Sequence, residues 1–154
     1  MKNAKEITLK YLFIGFFSAF IYCSIELIFR NRTHWLMGLL AFIVGLILSV
    51  INDEILEYDD YYEVQVLFGT LVCILFEGLF GMIFNYDYQI WDYRNTFGSF
   101  FNNQLNLIFC GAWMLITAFG IPLLDWVQYK LKLAPKPYYR FWILETLKNI
   151  KHYE

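Results

Sequence analysis

The sequence predicts an all-α membrane protein with four transmembrane helices, and three observations lead to this fold class. Of the 154 residues, 59% are hydrophobic and 21% are aromatic, while only 17% are charged. Soluble domains carry about 25% charged residues, so this chain has too few to cover a soluble surface. The apolar residues also fall into four blocks, each long enough to cross a hydrocarbon layer of about 30 Å. Because only a helix satisfies the backbone of an open chain in lipid, each block is predicted to be helical.

The four predicted spans belong to one transmembrane domain over residues 1–130. They cover about residues 7–29, 35–51, 64–84 and 105–127. The first and third spans share a pattern, because each has small residues at steps of four and a glutamate on the same face. This parallel suggests two related helical hairpins, one formed by the first and second spans and the other by the third and fourth.

The remaining residues, 131–154, are predicted to form a basic cytoplasmic tail with a short amphipathic helix. Pro135 and Pro137 break any helix directly after the fourth span. From Tyr138 to Tyr153, apolar residues recur at helical spacing opposite charged ones. Two interpretations stay open for this helix: it lies on the membrane surface, or it is a solvated amphipathic helix.

The distribution of lysine and arginine predicts a multi-pass protein of the plasma membrane with both termini in the cytoplasm. Nine of the twelve basic residues lie near the two termini, and three lie in the first and third connections. Cytoplasmic segments carry the excess of basic residues, which gives this orientation. The second connection, residues 52–63, would then also be cytoplasmic. It has six acids and lacks the glycine and ligand pattern of a calcium loop, so we interpret it as a solvated acidic turn.

Composition and motifs argue against several functions. The net charge is −2, so the chain lacks the basic excess of proteins that bind nucleic acid. It has no nucleophile-and-base set, phosphate loop or zinc motif, so we expect neither an enzyme nor a cofactor or metal site. Cys23, Cys73 and Cys110 lie inside apolar blocks and are predicted to be buried thiols.

Two glutamates, Glu26 and Glu77, lie inside predicted spans on faces lined by small residues. Helices in lipid pack through such faces, so the two carboxylates are predicted to face each other across the bundle. A carboxylate within a span costs about 2.5–3.5 kcal/mol on insertion scales, so each needs a partner or a function. Together they predict an interior polar site that binds a cation, relays a proton or holds a polar group of a substrate. The alternative is structural: Glu26 pairs with Arg30 one turn on, and Glu77 is a protonated acid bonded to a neighbouring helix.

The third connection, residues 85–104, mixes aromatic residues with amides and acids. Tryptophan and tyrosine prefer the membrane interface, so an extracytoplasmic loop at the interface is predicted. Its aromatic centre either recognises a headgroup or ligand, or only anchors the loop.

The segment from Leu71 to Trp113 resembles the C-terminal half of the CmpB-like family of ABC-transporter permeases, which are small bacterial membrane proteins. Members of that family carry a membrane glutamate, then a Trp-Asp-Tyr-Ser-Asn loop, and then an apolar helix with a tryptophan. In this chain Arg94 stands in place of the serine, and the first span, with Tyr22, is similar to the family's first helix. The matching positions are Glu26, Glu77, Trp91, Asp92, Tyr93 and Asn95.

The resemblance implies a transport-related, permease-like subunit. Its two glutamates would form the interior site, and the four matching loop residues would cap that site from outside. Since the chain is small and has no ATPase motif, it would work as a homo-oligomer or with a membrane-protein partner, together with a separate ATPase subunit. The alternative is a non-transporting scaffold or regulatory subunit that binds a cytoplasmic or membrane partner. A weaker third hypothesis is a small ion channel lined by Glu77.

Overall fold

The computed structural model describes residues 4–51 and 60–145, and most of these residues are helical. Helix α1 covers Ala4–Arg30, α2 covers Trp35–Leu48, α3 covers Tyr62–Phe84 and α4 covers Leu107–Lys130. Between α3 and α4, two short strands, β1 (Ser99–Phe100) and β2 (Leu105–Asn106), form an antiparallel pair. The prediction of a predominantly helical fold is confirmed.

Three of the helices, α1, α3 and α4, are long and apolar enough to cross a membrane. Helix α2 is apolar but has only 14 residues, which correspond to roughly 21 Å at the rise of an α-helix. It ends at Leu48, before the predicted limit at residue 51, and the Ser49 hydroxyl donates to the Leu46 carbonyl just beyond its end (2.7 Å). Three helices of spanning length and one short apolar helix are consistent with a membrane protein.

Side-chain caps fix where α2 and α4 begin. The His34 imidazole accepts a hydrogen bond from the Leu36 amide (3.3 Å) at the start of α2. Asn106 does the same for the Ile108 amide (2.9 Å), so α4 begins at residue 107 rather than at the predicted residue 105. Strand β2 occupies the two residues that the prediction assigned to the start of the span.

The helices pack chiefly in consecutive pairs, α1 on α2 and α3 on α4. A side chain added at Gly15 would collide with the Phe42 ring, and one added at Gly45 would collide with Ser18. A β-carbon at Gly69 would lie 2.6 Å from Thr117 on α4. The small-residue faces of α1, α2 and α3 therefore lie at helix contacts, while large apolar side chains such as Phe119 point outward and are exposed.

The segment after α4 folds back toward the start of α3. The Tyr139 hydroxyl donates to Asp125 (2.6 Å), and the Tyr62 amide donates to the Arg140 carbonyl (2.8 Å). Residues 135–139 are not helical, so the predicted tail helix does not begin at Tyr138; residues 142–145 are helical, and the remainder of that prediction lies outside the described residues. The same holds for residues 52–59 of the predicted acidic turn.

The three cysteines are free thiols. Cys73 is fully buried, as predicted, and its sulfur lies 3.7 Å from the Thr117 hydroxyl on α4. Cys23 and Cys110 are only half-buried, so the prediction of three buried thiols is correct for one of them.

Candidate functional site

Glu26 lies one turn before the end of α1 and is only 5% exposed. One carboxylate oxygen accepts a hydrogen bond from the Arg30 guanidinium (2.8 Å), and the other accepts from the Thr33 hydroxyl (2.7 Å). The first bond is the ion pair between Glu26 and Arg30 that was predicted from the sequence as the structural alternative to a functional role for Glu26. The second bond comes from the short connection to α2, so Glu26 also fixes the path of the chain between the first two helices.

Glu77 lies in α3, seven residues before its end, and is 3% exposed. Its Oε1 atom accepts a hydrogen bond from the Tyr93 hydroxyl (3.1 Å), and its Oε2 atom accepts from the Trp113 indole (2.8 Å). The indole nitrogen can only donate, so Oε2 is the acceptor in this bond, a role open both to a carboxylate oxygen and to the carbonyl oxygen of a carboxylic acid. Both donors are neutral, and within residues 4–51 and 60–145 no basic side chain hydrogen-bonds this carboxyl group.

Both glutamates line one cavity of about 450 Å³, which we call the carboxylate cavity. Trp91 and Tyr93 of the α3–α4 loop also line it, and both are buried. The structure therefore brings four of the six sequence-predicted site residues to one place. Its remaining lining residues are mostly apolar or aromatic: Tyr22, Ile25, Phe29, Arg30, Met37, Phe109, Ala112, Trp113, Leu115 and Ile116.

The other two predicted residues, Asp92 and Asn95, lie on the exposed surface of the loop and do not line the cavity. Asp92 binds the Arg94 guanidinium through both oxygens (2.9 and 2.7 Å) and also accepts from the Arg94 amide. The hydrogen bond from the Arg94 side chain is the main reason that the pKa of Asp92 is lowered to about 2. Since neighbouring residues of an extended segment point in opposite directions, burial of Trp91 and Tyr93 leaves Asp92 outside.

Tyr93 reaches the cavity because the loop backbone holds it there. Burial and then the adjacent Glu77 carboxylate raise its pKa, so the phenol stays neutral and can donate to Glu77. Its ring also stacks on Phe109 at the start of α4, with 4.9 Å between the ring centroids. The loop and α4 are thereby joined at the wall of the cavity.

Two buried amides shape the α3–α4 loop above the cavity. The Asn85 side chain donates to the Trp91 carbonyl (2.7 Å) and accepts from the Ile90 amide (2.9 Å). The Gln104 side chain donates to the Asn85 backbone carbonyl (3.0 Å), and the Gln104 backbone carbonyl accepts from the Trp91 indole (3.0 Å). Asn85 is not among the sequence-predicted site residues. The signal that could have indicated its role is a polar residue that directly follows a predicted span and precedes an aromatic loop.

Tyr22 of α1 and Trp113 of α4 stack almost parallel, with 5.6 Å between centroids and 9° between the ring planes. They line both the carboxylate cavity and a second, smaller one of about 70 Å³. The smaller cavity continues between α1, α2 and α4, and its lining is almost wholly apolar. The stacked pair is therefore part of the wall that the two adjoining cavities share.

The carboxylate cavity opens sideways, between α1 and α4. Phe29 is 81% exposed and Ile25 is 39% exposed on α1, while Leu115 on α4 is 63% exposed. The opposite wall is closed by buried residues, including Met37 of α2 and Glu77 of α3. The two carboxylates thus lie at the back of a crevice whose rim is apolar.

Within residues 4–51 and 60–145, no group of three or more His, Cys, Asp or Glu side chains is close enough to hold a metal ion. Comparisons of the chain with protein-family models, with curated proteins and with solved structures found no match. The structure thus defines a mostly helical chain with three helices of spanning length and a carboxylate-lined crevice between two of them.

Proposed function

We propose that this protein is a transport-related, permease-like subunit of the plasma membrane, and that the carboxylate cavity is its ligand site. The resemblance of the segment from Leu71 to Trp113 to CmpB-like ABC-transporter permeases, seen in its sequence motifs, supports the proposal. In this proposal α2 also crosses the membrane, so that the chain has four spans. Both termini are cytoplasmic, and the α3–α4 loop lies on the outer side of the membrane. The protein would act as a homo-oligomer or beside a membrane-protein partner, with a separate ATPase subunit.

One observation carries the proposal: two buried carboxylates share an open cavity of about 450 Å³. If the two carboxylates only formed stabilising hydrogen bonds to their protein partners, they would not require a cavity of this size beside them. Ligand pockets typically enclose about 300–1,000 Å³ and combine apolar walls with a few polar groups, as this cavity does.

The helix α2 is short for a membrane span, but the side chains at its two ends are compatible with a four-span arrangement. A hydrophobic segment shorter than the bilayer is accommodated by local thinning or by flanking side chains that reach the interface. The exposed Trp35 at the start of α2 is such an interfacial side chain. At the other end, Gln128 donates to the Ser49 carbonyl (3.0 Å), which satisfies one backbone acceptor at the end of the helix.

The proposal predicts that filling the cavity removes a bound molecule. Full-length protein is extracted from membranes in mild detergent and examined by native mass spectrometry for retained small molecules or lipids. We expect the wild type to retain a ligand, and Ala112→Trp and Glu77→Gln to lose it. Glu63→Gln is the matched control, because Glu63 is an acid on the same helix that lies outside the cavity and accepts from the Trp142 amide (3.1 Å). Identical spectra for all four proteins would contradict a ligand site.

A second candidate function, a non-transporting scaffold or regulatory subunit, is favoured by a different observation. All four oxygens of the two glutamates already accept hydrogen bonds from the protein, so neither side chain needs a ligand. Arg140 and Glu145 of the tail also contact Tyr61 beside α3. On this hypothesis the tail holds a partner, and removal of residues 131–154 abolishes its co-purification while the cavity variants leave it unchanged.

A further inference from the structure

We propose that the carboxylate cavity binds a lipophilic organic monocation, an ammonium or phosphonium group carried on an apolar body that enters from the bilayer. The inference rests on the proposed function and names the class of its ligand. Four features of the cavity support it: its net charge, its aromatic walls, the hydrogen bonds that its carboxylate oxygens already accept, and its sideways opening.

The charge balance favours a single positive charge. Two acids and one base are among the described residues that line the cavity: Glu26, Glu77 and Arg30. Glu26 and Arg30 form an ion pair with 2.8 Å between the nitrogen and the oxygen, so they cancel each other. When ionised, Glu77 adds one negative charge, and among the described residues only neutral donors hydrogen-bond it. An anion would be repelled by this one net negative charge, and in a site of low dielectric constant that repulsion is strong.

The walls favour an organic cation over a metal ion. Six of the 14 lining residues are aromatic: Tyr22, Phe29, Trp91, Tyr93, Phe109 and Trp113. The faces of aromatic rings attract weakly hydrated cations, and sites rich in aromatic residues suit quaternary ammonium groups. Sodium or magnesium ions instead require several oxygen ligands, and each oxygen of the two glutamates already accepts a hydrogen bond from the protein.

The opening favours a ligand that is dissolved in the membrane. The rim is formed by exposed apolar residues of two helices of spanning length, Phe29 of α1 and Leu115 of α4. The smaller apolar cavity adjoins the site, since Tyr22 and Trp113 line both, and it offers space for part of an apolar body. A hydrophilic cation that arrives from water would gain no binding energy from the apolar rim or from the apolar cavity.

Two probes of the same shape and opposite charge test the inference: tetraphenylphosphonium and tetraphenylborate. Their dissociation constants are measured by equilibrium dialysis with full-length protein in a neutral maltoside detergent. We expect the cation to bind at least tenfold more tightly than the anion. Glu77→Gln should weaken binding of the cation more than tenfold, because it removes the uncompensated charge. Glu63→Gln should leave both dissociation constants unchanged.

A second pair of variants covers the case in which Glu77→Gln fails to fold. Phe29 is mostly exposed, so Phe29→Leu removes an aromatic face without disturbing the core. It should weaken binding of the cation about two- to fivefold, the range expected of one exposed cation–π contact. Phe119→Leu is the matched control, because Phe119 is equally apolar and exposed on α4 but does not line the cavity.

Competition identifies the source of the cation. Displacement of tetraphenylphosphonium by dodecyltrimethylammonium alone indicates a free monocation, and displacement also by dodecylphosphocholine indicates a choline-type headgroup; both support a cation site. Equal affinity for the two tetraphenyl probes, with binding abolished by Ala112→Trp, would overturn the cation inference and leave the ligand site standing. Failure of both probes to bind would overturn the inference, and a ligand-free wild type in native mass spectrometry would separately overturn the proposed function.

Discussion

At the scale of single residues, Glu77 joins three parts of the chain. It belongs to α3, accepts from Tyr93 in the loop and accepts from Trp113 in α4. Glu26 has a similar role at the end of α1, where its bonds to Arg30 and Thr33 reach across the first connection. Each buried carboxylate is thus held in one orientation, which a binding site requires.

Asn85 is the residue on which the loop depends most. We expect Asn85→Ala to lower stability by about 2–3 kcal/mol, because it leaves buried backbone groups of Ile90 and Trp91 without partners. The control is Asn95→Ala in the same loop, where an exposed side chain should change stability by less than about 0.5 kcal/mol. Thermal unfolding in detergent measures both; equal shifts in melting temperature would contradict the assigned role.

The ion pair on the loop surface makes a prediction about pH. The pKa of Asp92 is lowered to about 2 by Arg94, below its ordinary value of 3.8. The ionised pair therefore stabilises the loop above pH 4, and its contribution is lost as the pH falls from about 4 to about 2. A carboxyl-carbon NMR titration of Asp92 should show a midpoint near pH 2, and Arg94→Gln should move it upward. A midpoint that stays the same in the variant would show that Arg94 is not the cause.

At the scale of elements, close approach of helices explains the positions of the glycines. Gly45 of α2 meets Ser18 of α1, and the hydroxyl of Ser18 is itself bound to the Ile14 carbonyl (2.9 Å). The two helices approach so closely that the contact has no space for even one methyl group. By contrast, Gly111 of α4 has open space around its β-carbon position.

This difference predicts opposite outcomes for the same substitution. Gly45→Ala should destabilise the protein by about 1–3 kcal/mol, because the added methyl group forces α1 and α2 apart. Gly111→Ala should be neutral or slightly stabilising, since alanine is the better helix former and meets no neighbour. Thermal unfolding of the two variants in one detergent compares them directly. A stable Gly45→Ala variant would mean that the α1–α2 contact is looser than the structure shows.

At the scale of the whole molecule, the proposed orientation places the loop and the tail on opposite sides of the membrane. Single cysteines at two exposed positions, Asn95→Cys in the loop and Lys136→Cys in the tail, test this arrangement. In intact cells we expect a membrane-impermeant maleimide to label the first variant only. The second should become labelled once the membrane is permeabilised. Labelling of both variants in intact cells would contradict an orientation with cytoplasmic termini.

Whether a contact could be predicted from the sequence depends on how far apart its two residues lie in the chain. The Glu26–Arg30 pair could be foreseen, because its partners lie four residues apart on one helix. The partner of Glu77 could not, because Trp113 is 36 residues away and on another helix. Asp92 and Asn95 were assigned to the site together with their neighbours, but a sequence motif does not indicate which of its side chains point inward.

What the sequence determined by itself was the helical class, the approximate helices and the two carboxylates that require an explanation. These features depend on composition and on spacing within one helix, which the order of residues contains directly. The tertiary structure decided that α2 is short, that both carboxylates line one cavity, and that this cavity opens between α1 and α4. Those features depend on how closely distant helices pack, which is set by the combined shapes of side chains far apart in the chain.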